Sequence, residues 1–280
     1  MRIADPSEQE FLDDWRVLDK ASGYGIVTGC HPEGGMTVSL FILLVRRRRV
    51  QTITNDFERG EHSVDPFTVL PENIDQLVAE YQQSWPLMSM LHGRMAKMAG
   101  REAIKVCARR LDMLSRQGNR IGVRFAHDLE AEVFQDYLIY MHRPRGFNLV
   151  RQLHNRKMFP EGSREQELLA GMVQARFSVF WIRSVHQGVG CEALDIISGD
   201  QLFLLDQSLP QHDSVGLLAA FRIFPFRTAW AHTGANMVLG KIEDAAGLQP
   251  MGRKLTEQEE RELNEENVRR WRALLAQQAE

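Results

Sequence analysis

The apolar residues of this chain change their spacing near residue 176. Before that point, Ile74, Leu77, Tyr81 and Trp85 recur at helical spacing and define one face of a helix. After it, short apolar segments alternate with turn residues such as Gly, Pro, Ser and Asp. The strand candidates are 177–185, 191–197, 201–206, 217–224, 230–233 and 237–239. A change of period of this kind predicts a helical region joined to a separate β region.

The β region has a turn signal every 8–12 residues or so, which is typical of a small barrel or sandwich. Its length fits an SH3-like or OB-like β-barrel. We therefore predict an α+β fold in four parts. These are an N-terminal strand-containing region at 1–70, a helical region at 71–176, the β-barrel at 177–242, and a linker with a C-terminal helix at 243–280.

Local signals predict where several helices begin and end. Pro86 is expected to end or kink the first helix, because proline lacks a backbone N–H. A later apolar stripe over 104–114 predicts a helix that stops at Gly118. Ser163 followed three residues later by Gln166 is a capping box and predicts the start of another helix.

The C-terminal helix is the main candidate for an interaction surface. Thr256 and Glu259 form a capping box at its start. Val268, Trp271 and Leu275 then give one apolar stripe on an otherwise highly charged helix. The stripe either docks on the body of the chain or binds a protein partner or a second copy, with Trp271 and Leu275 as the contact residues.

The charge balance disfavours one class of protein without excluding a local site of that class. The chain has 34 Lys and Arg against 37 Asp and Glu, a formal net charge of −3. Dedicated nucleic-acid-binding domains are usually strongly basic. A small net value is nevertheless compatible with a local basic patch.

The cysteine pattern and the lack of long apolar segments indicate a cytoplasmic protein. Cys30, Cys107 and Cys191 are few and scattered, as expected in a reducing compartment. The polar, acidic residues at 1–15 do not resemble a signal peptide. The apolar run 36–45 is shorter than the roughly 20 residues of a membrane-spanning helix and predicts a buried strand. We therefore expect no membrane partner.

Three carboxylates are predicted to share one face of a helix. Asp128, Glu132 and Asp136 follow each other at intervals of four residues. Carboxylates placed in this way can bind Mg²⁺ or Mn²⁺, or they can simply form a solvated acidic face. The sequence identifies no second set of ligands that would decide between these alternatives.

Four consecutive arginines, Arg46, Arg47, Arg48 and Arg49, follow the apolar run directly. In a strand their side chains alternate between two faces, so two at most share a surface. They are either a charged strand end that blocks edge pairing or part of a basic patch for phosphates. The other arginines assigned to such a patch are Arg109, Arg110, Arg116 and Arg120.

No known catalytic motif accompanies these features. Cys30 and His31 lie in a glycine-flanked turn and are either a nucleophile with its base or simply part of a hairpin turn. Dinucleotide-binding, Walker, Gly-x-Ser-x-Gly, His-Glu-x-x-His and Cys-x-x-Cys patterns are absent. We therefore predict no catalytic residues and no cofactor.

Part of the chain resembles a known group of proteins. The segments that carry the resemblance are 136–137, 145–150, 165–169, 175–180, 195–199 and 216–222, together with Asp206. They are similar to a region of uncharacterised bacterial proteins that often carry a zinc-binding SEC-C tail. The resemblance implies a helical region leading into a small β domain, and it implies no activity. The sequence lacks a cysteine after Cys191, so a SEC-C zinc site is excluded here.

Two functions of different classes follow. The first is a non-enzymatic binding or accessory module that acts through its β-barrel and its C-terminal helix. The alternative is a nucleic-acid-associated factor or a metal-dependent nuclease, with the arginines on phosphates and the acidic helix face on a metal ion. The absence of catalytic motifs favours the first.

Overall fold

The computed structural model describes residues 70–117, 120–206, 214–242 and 248–278. The predicted N-terminal region at 1–70 lies outside these described residues except for its last position. No helix among the described residues is long and apolar enough to cross a membrane.

Helices and strands both contribute to the described part of the chain, which confirms the α+β class. The helices are α1 (Ile74–Met98), α2 (Arg101–Arg110), α3 (Leu129–Tyr140), α4 (Leu149–Asn155), α5 (Arg164–Val173) and α6 (Glu257–Gln278). The strands are β1 (Leu114–Gln117), β2 (Arg120–Val123), β3 (Arg176–His186), β4 (Gly190–Asp195), β5 (Gln201–Leu205), β6 (Leu217–Phe226) and β7 (Ala229–Lys241).

Strands β3 to β7 form a five-stranded sheet that closes on itself. The order of hydrogen-bonded neighbours is β3, β4, β5, β7 and β6, and β6 pairs back onto β3. All pairs are antiparallel except β5 with β7. Phe180 and Phe221 stack at its centre with ring centroids 4.4 Å apart. The buried core also includes Ile182, Cys191, Ala193, Leu202, Leu204, Ala219 and Ile223.

The strand candidates at 230–233 and 237–239 are a single strand, β7, and their separation in the prediction is corrected. Gly234 lies between them with a φ of +114°, which a residue with a side chain rarely adopts. The pairing of β6 with β7 shifts register between Phe221 and Ile223. The strand absorbs this irregularity and continues to Lys241, so the glycine marks a distortion rather than an end.

The outer face of the closed sheet is covered by three helices. Helix α5 packs on β6, helix α3 packs on β7, and helix α6 packs on both β3 and β7. Helix α5 approaches β6 very closely, because a Cβ built on Gly171 would lie 2.6 Å from the carbonyl oxygen of Pro225. The apolar stripe of α6 is buried against the chain, with Val268 and Trp271 exposing 0% and 3% of their surface.

The capping box at Thr256 is confirmed, whereas at Ser163 only the N-cap half forms, because the Ser163 N–H donates to the Pro160 carbonyl oxygen and not to the Gln166 side chain. The Ser163 hydroxyl accepts a hydrogen bond from the Gln166 backbone N–H at 3.3 Å, and α5 begins at the next residue. At the start of α6, the Glu259 carboxylate accepts from the Thr256 N–H at 2.9 Å, and the Thr256 hydroxyl accepts from the Glu259 N–H at 3.3 Å. These bonds satisfy backbone donors that a helix start leaves unpaired.

Pro86 was expected to end or kink the first helix. The prediction of an end is wrong, because α1 continues through Pro86 to Met98. A proline inside a helix costs roughly 3 kcal/mol through its missing hydrogen bond. Tyr81, Met88 and Leu91 are buried on the same face, before and after the proline. Packing of this continuous face offsets the local penalty.

The predicted helix over 104–114 also requires correction. Helix α2 ends at Arg110, Asp112 adopts a positive φ of 54°, and Leu114 begins strand β1. Strand β1 pairs with β2 in an antiparallel hairpin. The apolar stripe therefore continues across a sharp turn, which periodicity alone does not reveal.

Candidate functional site

The segment from Arg94 to Arg124 concentrates positive charge in a chain whose net charge is negative. It contains nine Lys and Arg residues and only two acidic residues, Glu102 and Asp112. The segment forms the end of α1, helix α2 and the β1–β2 hairpin. A local excess of this size creates a positive surface potential that the mean charge conceals.

Helix α2 presents a row of cations along one face. Arg101, Lys105 and Arg109 are four residues apart, so successive side chains stand one above the other. Arg101 and Arg109 are exposed. The side chain of Lys105 is 41% exposed, and its ammonium group lies 3.6 Å from a carboxylate oxygen of Glu102. A surface ion pair of this kind contributes little free energy, so Glu102 holds Lys105 only weakly.

The β1–β2 hairpin carries further exposed cations. Helix α2 packs on both strands. Arg116 lies opposite Ile121 in the hairpin register, and Leu114 lies opposite Val123 nearer its base. Arg116 and Arg124 are exposed, and the alternation of side chains along the hairpin places them on its opposite faces.

These cations differ from those that hold the fold together. Across the described ranges, none of Lys97, Arg101, Arg109, Arg116 and Arg124 forms an ion pair. By contrast, Arg110 lies 3.1 Å from the carboxylate of Glu265 on α6. We refer to the cations that are available to a ligand as the basic surface, which comprises Lys97, Arg101, Lys105, Arg109, Arg116 and Arg124.

The hairpin is fixed to the body by a long-range contact from α6. The Arg272 Nε donates to a carboxylate oxygen of Glu130 at 2.9 Å, and its Nη1 donates to the carbonyl oxygens of Leu111 and Asp112, both at 3.0 Å. Glu130 is 2% exposed, and its second oxygen accepts from the Ala126 N–H at 2.9 Å. The pair of Arg272 and Glu130 therefore forms hydrogen bonds with the backbone at both ends of the hairpin.

A second arginine, Arg222, is buried and has a structural role. Arg222 on β6 is 1% exposed and donates to Asp136 at 3.0 Å and to Glu260 at 2.5 Å. Burial alone would lower the pKa of the Arg222 guanidinium, but the attraction of Asp136 and Glu260 is the stronger effect and raises it. The guanidinium carbon also lies 4.8 Å from the centroid of the Tyr140 ring.

The predicted acidic helix face is divided between two environments. Asp136 is engaged by Arg222 and by the Thr233 hydroxyl, which donates to it at 2.8 Å. Asp128 and Glu132 are exposed. Within the described ranges, no group of three His, Cys, Asp or Glu side chains is placed to hold a metal ion. Spacing along the helix could not indicate that Asp136 has a partner 86 residues further on.

The other predicted residues have varied positions. Trp271 is 3% exposed within the chain's own core, and Leu275 is partly buried. The arginine run Arg46, Arg47, Arg48 and Arg49 lies outside the described residues, as does the Cys30 and His31 pair. Of the arginines assigned to the same patch, Arg109 and Arg116 are on the basic surface, whereas Arg110 is paired with Glu265.

A cleft between α1, α5 and the β6–β7 turn is small and internally neutralised. Its volume is about 170 Å³, below the roughly 300 Å³ at which ligand pockets usually begin. Arg227 at the turn lies 3.0 Å from both Glu80 and Glu167. The charges that line the cleft therefore satisfy one another, and the cleft gives little support to a small-molecule site.

The described cysteines are unsuited to nucleophilic chemistry. Cys107 and Cys191 are both free and fully buried. Burial raises the pKa of the Cys107 thiol to about 12 and raises that of Cys191 further. A thiol in such a position stays protonated and inaccessible at neutral pH.

Comparison with known proteins identifies a family but no activity. A family described as "Family of unknown function (DUF7986)" matches residues 75–271, a range that includes the whole basic surface and the closed sheet. No curated protein and no solved structure matches the sequence. The resemblance to proteins with a SEC-C tail stays a prediction. Because the match covers well over half of the chain, the protein belongs to the family of unknown function DUF7986.

Proposed function

We propose that this protein is a non-enzymatic nucleic-acid-binding protein, and that the basic surface holds the phosphate backbone. The observation that carries the proposal is the basic surface: in the described part of the chain, Lys105 alone among its cations has an acidic partner, the weak surface pair with Glu102. Cations of this kind release condensed counterions when they neutralise phosphates, which drives binding. Cations already paired with carboxylates cannot contribute in this way.

The proposal combines the two functions predicted from sequence. It keeps the non-enzymatic module of the first and the phosphate-binding arginines of the alternative. Burial of Trp271 favours this choice, because a partner that used the α6 stripe would have to displace it from the chain's own core. A protein partner or a second copy bound through α6 is the competing proposal.

We also infer that the closed sheet is an OB-like β-barrel rather than an SH3-like one. In the order of hydrogen-bonded neighbours, the third strand of the sheet pairs in parallel with the fifth, and the fourth pairs with the first. This order is that of an OB-fold, a class that often binds nucleic acids. The analogy supports the proposal at the level of fold only.

The nuclease alternative receives less support than simple binding. The described residues provide no cluster of metal ligands, and Asp136 is engaged by Arg222. The buried thiols offer no nucleophile. Free cysteines fit the cytoplasmic location that we propose, since oxidising compartments favour disulfides.

A salt series measures the binding and its origin. We expect the full chain to bind a fluorescently labelled DNA oligonucleotide, with an affinity that falls as salt rises. The double variant Arg101→Gln, Arg109→Gln should weaken binding by about 10-fold or more and should lower the slope of log Kd against log salt by about 1–2, because each phosphate contact contributes about 0.7–0.9 to it.

The matched control is Arg156→Gln, Lys157→Gln, which removes two exposed cations outside the basic surface. We expect it to change neither the affinity nor the slope appreciably. Absence of salt-dependent binding by the unaltered chain, or an equal loss in both double variants, would contradict the proposal.

A further inference from the structure

An exposed aromatic residue follows Arg124, one of the cations of the basic surface, in the chain. Phe125 is the second residue after the end of β2, is 39% exposed, and is preceded by the exposed Arg124. Its ring contacts Phe134 edge-on, with centroids 5.7 Å apart, but this contact leaves much of the ring uncovered. Ile121 and Leu129, on either side of it in sequence, are each 45% exposed.

The backbone on both sides of this ring is fixed. The Arg124 N–H donates to the Met113 carbonyl oxygen at 2.9 Å, which extends the hairpin ladder past β2. The Ala126 N–H donates to the Glu130 carboxylate, which is itself held by Arg272. The exposed ring is therefore held in position before any ligand arrives, and this reduces the entropy lost on binding.

Contacts with phosphates do not explain exposed apolar side chains. Phosphate oxygens are bound by cations and hydrogen-bond donors, and an aromatic ring adds nothing to such contacts. The face of an unpaired base, however, stacks readily on an aromatic side chain, and arginines beside the ring track the backbone. In a duplex the base faces are already stacked and are closed to the ring.

We propose that the basic surface binds single-stranded nucleic acid, with a base stacked on the ring of Phe125. The inference rests on the proposed function and adds the form of nucleic acid that the surface takes. It also divides the labour of the site, because the cations supply salt-dependent affinity and Phe125 supplies the preference for a single strand.

The test compares a labelled oligothymidylate with a duplex of the same length, both titrated with the full chain. Phe125→Ala should weaken binding to the single strand by about 10-fold or more, the usual effect of removing a stacking ring, and should leave its salt slope unchanged. Binding to the duplex should not change. Phe125→Leu, which retains apolar packing on Phe134, should show the same loss if the alanine variant folds poorly.

Two further variants complete the design. Phe147→Ala removes a ring that is 48% exposed but lies outside the basic surface, and it should have no effect. Phe125→Trp should retain the single-strand affinity of the unaltered chain, because the larger ring also stacks on a base. Equal losses on single strand and duplex in Phe125→Ala, or an unchanged affinity of Phe125→Ala and Phe125→Leu for the single strand, would overturn the stacking proposal.

The two proposals fail in different ways. If Phe125 variants bind normally while Arg101→Gln, Arg109→Gln weakens binding, the proposed function stands and the stacking is wrong. If the unaltered chain binds neither form of DNA at low salt, the proposed function itself is wrong.

Discussion

The guanidinium of Arg272 donates a hydrogen bond to the buried carboxylate of Glu130 at 2.9 Å, although 142 residues separate the two in the chain. The same guanidinium binds the two carbonyl oxygens of the turn that leads into the hairpin. Glu130 in turn binds the backbone where the chain leaves the hairpin. One ion pair therefore ties both ends of the hairpin to α3 and α6, in addition to the packing of α2 on the two strands.

Removing Arg272 should destabilise the fold and loosen the hairpin. Arg272→Met leaves Glu130 buried without its charge partner, for which we expect a loss of about 3 kcal/mol in the free energy of unfolding, measured in urea. Hydrogen exchange at the Ala126 amide should accelerate. The control Arg269→Met, which breaks an exposed pair with Glu266, should cost no more than about 0.5 kcal/mol. Equal losses in the two variants would contradict the role assigned to Arg272.

The buried Arg222 network should contribute to stability without any metal ion. Arg222→Met leaves Asp136 and Glu260 uncompensated, and we expect a loss of about 3–5 kcal/mol in the free energy of unfolding. Asp136→Asn should lose less, because the amide retains a hydrogen-bond acceptor. Mg²⁺ and Mn²⁺ should not shift the melting temperature of the unaltered chain. A metal-dependent rise that Asp136→Asn abolishes would instead support the metal hypothesis.

His92 should make the fold less stable at acidic pH. Burial lowers the pKa of His92, against the opposing attraction of Asp136, and its Nε2 lies 3.0 Å from the Tyr140 hydroxyl. The unfolded chain, whose histidines titrate near pH 6.5, then binds the proton more tightly than the folded protein does. Stability present above about pH 6.5 is therefore lost as the pH falls.

Urea unfolding at about pH 7.5 and about pH 5.5 checks this sign. His92→Gln should lose less stability between the two pH values than the unaltered chain. Part of the loss should remain, because burial lowers the pKa of His142 as well, with a smaller contribution from Arg110. An unchanged pH dependence in His92→Gln would show that His92 does not contribute.

Two glycines should respond in opposite directions to the same substitution. Gly171→Ala places a Cβ 2.6 Å from the Pro225 carbonyl oxygen, so α5 must move from β6, and we expect a loss of about 1–3 kcal/mol in the free energy of unfolding. Gly93→Ala, inside α1, meets nothing within 4 Å and should gain about 0.5–1 kcal/mol from helix propensity. Thermal melting of the two variants provides the comparison, and a stabilised Gly171→Ala would contradict the close packing.

Elements that depend on local pattern were largely predictable from the sequence. The period-two segments from 177 to 224 correspond to β3, β4, β5 and β6, because strands with one buried face alternate along their length. The N-cap at Ser163 and the capping box at Thr256 depend on residues three positions apart and were equally clear. The prediction at Pro86 failed because packing against residues far away in the sequence keeps α1 continuous, and local sequence signals do not include such packing.

The candidate site was less accessible to prediction. Gly118 and Asn119 are residue types that are common in hairpin turns, and they separate two short segments that each contain an arginine. This sequence signal for a hairpin was concealed by the stronger helical stripe. Whether an arginine is available or engaged depends on contacts such as that of Arg110 with Glu265, which lie far apart in sequence. Composition shows the number of cations but does not distinguish these two kinds.

The position of α6 has a consequence for biosynthesis. This helix packs on β3 and β7, buries Trp271 there, and supplies Arg272 to the hairpin. Until the residues up to 278 have left the ribosome, apolar surface on the closed sheet therefore stays uncovered and Glu130 lacks its ion-pair partner. We therefore expect the domain to complete its folding only after α6 has left the ribosome, and the incomplete chain to expose apolar surface until then.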